Sequence, residues 1–248
     1  MAIFIIKRRG INGAISPEPR GLKRDLQFFL VSYSLAFCAA LIPQSSVRGF
    51  CLTIIAISLG IIYFVYLLVT IKDSANLVKS GHLTQAKEQL FLQKLGLKAN
   101  YITIMIQLVL AIFMLVYFSE TFIDTVNALA VKHAVSPFLL SLTIIPIATE
   151  LPEKVNSILW LHKDKDTLAM SNITGALVFQ GSLLPMVGIL ATNWSLKQNA
   201  ILINISITLI AALWIYINAC RGKLRVWHFA VNGMLYIVNI GLCWYLLK

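Results

Sequence analysis

Two glutamates lie within a stretch of the chain that is otherwise apolar enough to cross a membrane. Glu150 and Glu153 fall inside residues 136–160, which have the length of a membrane-spanning helix. A charged residue at the centre of a bilayer costs about 2.5–3.5 kcal/mol on insertion scales, so the pair opposes insertion by roughly 5 kcal/mol or more. Carboxylates kept at such a cost predict a functional site.

Two prolines, Pro146 and Pro152, interrupt the same stretch. Pro152 has no N–H, so the carbonyl of Ala148 is predicted to lose its helical partner. Irregular backbone at membrane depth is tolerated only against protein or water. A freed carbonyl beside carboxylates forms a set of hard oxygen ligands, which suits Ca²⁺ and, more loosely, Na⁺ or H⁺. The Ala148 carbonyl and both carboxylates are therefore candidate ion ligands.

A simpler alternative is a kinked structural helix without a site. In that interpretation Glu150 pairs with Lys154, four residues further along the helix. The alternative explains Glu153 less well than Glu150.

The composition indicates a polytopic membrane protein. Hydrophobic residues make up 58% and charged residues 12% of the 248 residues, which no soluble domain of this size resembles. The formal net charge of +11 is interpreted by its location along the chain and not as a nucleic-acid signal. The four cysteines form no C-x-x-C pair and the four histidines no H-E-x-x-H pattern, so we expect no resident cofactor.

Seven apolar spans are predicted, within four regions. Residues 1–26 form a cytoplasmic N-terminal segment, 27–70 two transmembrane helices, 71–100 a cytoplasmic loop and 101–248 five further helices. The loop contains leucines at helical spacing in residues 82–98, which predict a short amphipathic helix on the membrane surface, with a solvated linker as an equal alternative. The spans begin and end near these residues: 27–43, 49–70, 101 to beyond 124, 136–160, 168–190, 200–220 and 227–247.

Lysine and arginine indicate the orientation of the chain. Alternate segments hold sixteen basic residues on one side and four on the other, and Lys154 alone falls within a span. Because basic residues concentrate on the cytoplasmic side, we expect a cytoplasmic N-terminus and an external C-terminus in the cell (inner or plasma) membrane.

The fifth span begins with a stripe of polar and small residues. Asn172, Ala176 and Gln180 recur every four residues and so share one helix face. Asn172 and Gln180 offer amide oxygens there, and Gly175 and Ala176 allow another helix to approach. Such stripes are usually packing surfaces, but this one follows the interrupted span after a short loop. The two spans are therefore predicted to form an antiparallel hairpin with facing polar surfaces.

These residues resemble a known family. Thr149-Glu150-Leu151-Pro152-Glu153, a short basic loop and Asn172-Ile173-Thr174-Gly175 are similar to the second alpha repeat of the sodium/calcium exchangers, within the cation/Ca²⁺ exchanger superfamily. The usual pattern of that repeat is G-T-S-x-P-E on one helix and G-N-x-x-G-S-N on the next. The specific match covers about residues 136–190, and a looser match by hydropathy and orientation covers the whole chain.

The resemblance implies roles for individual residues. Glu153 takes the place of the ion-binding glutamate of the family. Thr149 takes that of the threonine whose backbone and hydroxyl face the ions. Asn172 and Gly175 match the asparagine and glycine of the next helix.

Three departures from the family pattern leave the ion selectivity open. Glu150 stands where the family usually has serine, and Ala176 and Leu177 replace its serine and asparagine. Gln180 stands where an acidic or amide ligand is usual. A neutral ligand at position 180 beside an extra titratable group at position 150 suits coupling to protons as well as to sodium.

The fold implied by the resemblance has ten helices in two inverted repeats of five, and the ion site takes one glutamate from each repeat. This chain matches the second repeat, the loop and the last two helices of the first repeat, without a T-x-x-P-E hairpin upstream. We therefore expect an all-α polytopic membrane protein with about seven transmembrane helices, one inverted-repeat half of an exchanger fold plus two helices of the other half.

The function that follows is a cation antiporter exchanging Ca²⁺ against Na⁺ or H⁺, with cations and the lipid bilayer as partners. The first alpha repeat is expected to come from a separate chain, unless the chain is a truncated copy. The alternative is a non-transporting, degenerate or regulatory membrane subunit. An enzyme is not expected, because the spans contain no Ser/His or paired-Asp arrangement.

Overall fold

The described part of the chain is built from helices and contains no β-strand. The computed structural model describes residues 10, 12–79, 90–98, 100–132, 139–140, 142, 145–146, 149–195, 199–222 and 224–247. Eight helices lie in these residues: α1 Pro19–Leu41, α2 Arg48–Lys79, α3 Phe91–Lys94, α4 Tyr101–Lys132, α5 Leu151–His162, α6 Asp166–Ala191, α7 Asn199–Cys220 and α8 Val226–Leu247. The predicted all-α polytopic fold is confirmed.

Five of these helices, α2, α4, α6, α7 and α8, are long and apolar enough to cross a membrane. They correspond to five of the seven predicted spans. The first predicted span falls largely within α1, which begins with several charged residues. The interrupted span contains α5, whose 12 residues reach about 18 Å at 1.5 Å per residue, short of the roughly 30 Å hydrocarbon core.

The chain divides into two compact units. The first comprises Met1–His82 and Pro146–Lys248, and the second comprises Leu83–Ile145. In the first unit α6 is the central helix, because α1, α2 and α5 all pack against it. Helix α7 packs against α1 and α8 in the same unit.

Glycines allow close packing around α6. A Cβ atom on Gly181 would lie 2.6 Å and 2.9 Å from two ring atoms of Phe29 in α1. A Cβ atom on Gly60 of α2 would lie 2.8 Å from the sulfur of Met186 in α6. Distances below 3.0 Å require a neighbouring atom to move, which the flexible Met186 side chain can do more easily than the buried Phe29 ring, so Gly181 is the more constrained of the two positions.

We expect Gly181→Ala to destabilise the first unit. The Phe29 ring is 3% exposed and has little room to retreat, so overpacking should cost about 1–3 kcal/mol. Gly241→Ala in α8 is the matched control, because a Cβ atom there meets nothing within 4 Å. Thermal unfolding in detergent should show a lower midpoint for the Gly181 variant alone, and equal midpoints would contradict the packing described here.

A buried charge network holds the start of α1. Asp25 is 1% exposed and accepts hydrogen bonds from Arg24 at 2.8 Å and from the Thr174 hydroxyl of α6 at 2.6 Å. Arg24 also pairs with Asp73 of α2 at 2.7 Å. Burial alone would lower the pKa of Arg24, but hydrogen bonds and the charges of these carboxylates raise that pKa above its ordinary value. The network joins three helices and explains why α1 begins before the predicted apolar span.

The backbone of residues 13–18 contacts two other segments of the first unit. The N–H of Ile15 donates to the carbonyl of Leu224 at 3.3 Å, and the N–H of Ser16 donates to Oδ2 of Asp166 at 3.0 Å. The segment before α1, the start of α6 and the turn between α7 and α8 therefore meet. The charge pattern assigns these three segments to the same side of the membrane.

In the second unit, α3 packs against α4. Oδ1 of Asn100 accepts from the N–H of Thr103 at 2.8 Å and so caps the start of α4. Helix α4 extends through Glu120 and Asp124, as the sequence predicts. The amphipathic helix predicted for residues 82–98 lies partly outside the described residues, and the described part contains the short helix α3.

Candidate functional site

The helix that carries Glu153 begins at Leu151. Pro152 lies in its first turn, where a missing N–H removes no helical hydrogen bond. Glu150 precedes the helix, and its N–H donates to the carbonyl of Pro146 at 3.3 Å. Helix α5 therefore begins within the predicted span. Glu153 lies in its first turn, where the helix dipole attracts negative charge.

A cavity of about 400 Å³ lies beside this turn, with walls from α5, α6 and α8. Three of the six predicted ligands line it together. The lining residues are Glu150, Glu153, Lys154, Met170, Ile173, Ala176, Leu177, Gln180, Phe229 and Gly233. Carboxylates from the start of α5 and an amide from α6 therefore share one concave surface, as the predicted hairpin requires.

Glu153 contributes a buried oxygen to this region. Its Oε2 atom is shielded from solvent and has no hydrogen-bond partner among the described residues. A buried charged oxygen without a partner costs several kcal/mol, so such an atom calls for a ligand. A cation in the adjoining cavity would supply the missing interaction.

Glu150 has a partner among the described residues, in contrast to the Oε2 atom of Glu153. Nζ of Lys154 lies 3.4 Å from Oε2 of Glu150, and the two side chains are 41% and 33% exposed. The helical ion pair of the simpler interpretation is therefore present. A pair this open to solvent contributes at most about 1 kcal/mol, so it does not lock Glu150 in place.

Asn172 holds the two helices of the hairpin in register. Its Nδ2 atom donates to the carbonyl of Glu153 at 2.9 Å and to the hydroxyl of Ser157 at 3.1 Å. Ser157 is fully buried and donates onward to the carbonyl of Ala169 at 3.1 Å. These bonds attach the first turn of α5 to α6 and so set the position of the Glu153 side chain.

Two other predicted ligands, Thr149 and Ala148, come directly before Glu150 in the chain. The Thr149 hydroxyl is 3.5 Å from the carbonyl of Pro146. Ala148 lies outside the described residues, so its carbonyl stays a prediction. Gly175 lies on a packing surface towards α2. A Cβ atom built on Gly175 would lie 3.5 Å from the Tyr66 hydroxyl of that helix.

Sequence reasoning missed two contributions to this site. Ser157 lies one turn after Glu153 on the same helix face, and this spacing was an available signal. Phe229 and Gly233 come from α8, and no local pattern indicates that they reach the cavity. Within the described residues, no group of three or more His, Cys, Asp or Glu side chains could hold a metal ion.

We expect Ser157→Ala to weaken any cation binding at Glu153. The change removes one support of Asn172, and a hydrogen bond worth about 0.5–1.5 kcal/mol corresponds to a roughly two- to tenfold loss of affinity. Ser171→Ala, at an exposed position of α6, is the matched control. Affinity measured by cation-dependent thermal stabilisation should fall for the Ser157 variant alone, and unchanged affinity would show that the bond does not position Glu153.

Comparison with known proteins finds one family. The family model described as sodium/calcium exchanger protein matches residues 103–245, which is more than half of the chain and includes the cavity-lining residues. No curated protein and no solved structure was found to match the chain.

Proposed function

Because the chain belongs to the sodium/calcium exchanger family, we propose that it is a membrane subunit that binds and exchanges Ca²⁺ against Na⁺ or H⁺ at the α5–α6 hairpin. The family supports a cation exchange function of this general type, and its members are transporters rather than enzymes. The five long apolar helices agree with a multi-pass membrane protein. The transported cations are substrates and not resident cofactors.

The Oε2 atom of Glu153, which has no hydrogen-bond partner within the described part of the chain, carries this proposal. It lies in a residue that lines the cavity, and Glu150 and Gln180 offer further oxygen atoms on the same surface. Carboxylate and amide oxygens are the ligands that Ca²⁺ and Na⁺ prefer. Thr149, the Ala148 carbonyl and Oδ1 of Asn172 are proposed as additional ligands.

Titration of the purified chain with cations tests the proposal. A ligand that binds only the folded state raises the unfolding midpoint as its concentration rises. We expect CaCl₂ or NaCl to raise the midpoint relative to choline chloride at matched ionic strength. The absence of any cation-specific shift at molar excess would refute the proposed site.

The cavity supplies only part of a coordination shell. Ca²⁺ takes about six to eight oxygen ligands, whereas the described lining of the cavity offers two carboxylates and one amide. We propose that ligands beyond these and the three additional candidates come from a first alpha repeat, on a separate chain unless this chain is a truncated copy. The occurrence of a single T-x-x-P-E pattern among residues 1–248 supports this proposal.

A second candidate function is a non-transporting, regulatory subunit. It is favoured by the apolar cavity wall formed by Met170, Ile173, Leu177 and Phe229, and by the lysine that already occupies Glu150. This candidate predicts that no cation stabilises the chain and that mutation of Glu153 leaves the activity of a transporting partner unchanged. The titration described above therefore separates the two functions.

The proposed topology has a cytoplasmic N-terminus and an external C-terminus in the cell (inner or plasma) membrane. It rests on the sixteen-to-four distribution of basic residues between alternate segments. We expect reporter fusions at Gln85 and after Lys248 to lie on opposite sides. Reporters on the same side would contradict the model with seven spans.

A further inference from the structure

Lys154 brings a positive charge into the cavity proposed to bind cations. It lines the cavity beside Glu150 and Glu153, and its Nζ atom lies 3.4 Å from Oε2 of Glu150. Glu150 immediately precedes α5 and lies four residues before Lys154, which is the favourable order for a glutamate–lysine pair. One of the two carboxylates is thus held by an ammonium group that belongs to the protein itself.

The net charge that the cavity presents to a cation depends on the position of the Lys154 ammonium group. Two carboxylates and one ammonium group leave a single net negative charge, and Glu153 carries the oxygen that has no described partner. A net charge of one suits a monovalent cation. A divalent cation gains more from two free carboxylates, because affinity for Ca²⁺ rises with the number of charged ligands.

We propose that Lys154 is a specificity-determining residue that competes with the transported cation for Glu150 and so sets the preference of the cavity between monovalent and divalent cations. The proposal rests on the proposed cation site. With Lys154 on Glu150, the cavity presents Glu153 alone and favours Na⁺. With Lys154 displaced, both carboxylates face the cavity and Ca²⁺ is favoured.

The geometry allows the displacement. The Lys154 and Glu150 side chains are 41% and 33% exposed, so neither is enclosed by its neighbours. The ammonium group is a compact charge on a flexible four-carbon stem, and it lacks the planar fork with which arginine binds a carboxylate bidentately. A divalent cation that binds Glu150 therefore has to displace one partly exposed lysine side chain.

Charge variants of this pair provide the test. The Lys154→Gln variant leaves two negative charges in the cavity, Glu150→Gln leaves none, and the double variant restores one. Lys154→Arg keeps the wild-type charge and is the control for folding and helix packing. Each full-length protein is purified and titrated with CaCl₂ or NaCl against choline chloride, with the unfolding midpoint as readout.

We expect Ca²⁺ affinity to follow the net charge. It should rise at least about tenfold in Lys154→Gln while Na⁺ affinity rises roughly threefold, because Coulomb energy is proportional to the charge of the ion. Wild type, the Arg variant and the double variant should bind Ca²⁺ similarly, and Glu150→Gln should bind it least.

The outcomes separate the inference from the function on which it rests. An unchanged ratio of Ca²⁺ to Na⁺ affinity in Lys154→Gln would overturn the role of Lys154 and leave the cation site intact. So would a Lys154→Arg protein that behaves like Lys154→Gln. If no cation stabilises any variant, including Lys154→Gln, the proposed function itself fails.

Discussion

Replacement of Glu153 by glutamine is expected to abolish the stabilisation of the chain by Ca²⁺. Glutamine keeps the size and shape of the side chain but removes the one negative charge in the cavity whose oxygen has no described partner. Loss of a charged ligand in direct contact with the ion should weaken binding at least about a hundredfold, or roughly 2.8 kcal/mol.

Thermal titration with CaCl₂ measures this effect, and Glu120→Gln provides a matched control. Glu120 is a helical glutamate of α4 that does not belong to the cavity lining. Its replacement should leave the Ca²⁺-dependent shift unchanged. Equal shifts for wild type and Glu153→Gln would place the bound ion elsewhere in the protein.

The second large effect concerns exchange by this 248-residue chain without a partner. We expect negligible ⁴⁵Ca²⁺ or ²²Na⁺ exchange in proteoliposomes, even where the purified chain binds cations. The described lining of the cavity offers two carboxylates and one amide, and residues 1–248 contain no second T-x-x-P-E hairpin to complete the shell of about six to eight oxygen ligands around Ca²⁺. Binding should therefore be weak and the ion poorly held during transport.

Co-reconstitution provides the positive arm of this experiment. Addition of a chain that carries a first alpha repeat should restore exchange, and the Glu153→Gln variant with the same partner should not. Robust exchange by the chain alone would contradict the proposed assembly. It would also require a complete site within copies of this chain, although the strong orientation bias disfavours an inverted dimer.

Much of the architecture follows from local patterns in the sequence. Apolar length predicts the long helices, and the position of Pro152 predicts where the interrupted span breaks. Helical spacing also predicts that Gln180 and the glutamates meet, because a short loop makes α5 and α6 antiparallel neighbours. Such features depend on residues close together in the chain.

The features that the sequence did not reveal depend on distant residues. The Asn172 side chain carries an amide oxygen that can bind a cation. Its Nδ2 atom, however, donates a hydrogen bond to the backbone carbonyl of Glu153 in α5. The Asp25–Thr174 hydrogen bond joins residues 149 positions apart, so periodicity gives no indication of it. The same is true of Phe229 and Gly233, which reach the cavity only through the packing of α8.

The proposed function requires that a transported cation binds at the carboxylate of Glu153. Diffraction at a long wavelength from crystals of the chain grown with CaCl₂ tests it directly, because calcium then scatters anomalously. We expect an anomalous peak about 2.3–2.6 Å from Oε2 of Glu153, within the cavity between α5, α6 and α8. A calcium peak only outside that cavity, with Oε2 of Glu153 hydrogen-bonded to a protein donor, would contradict the account.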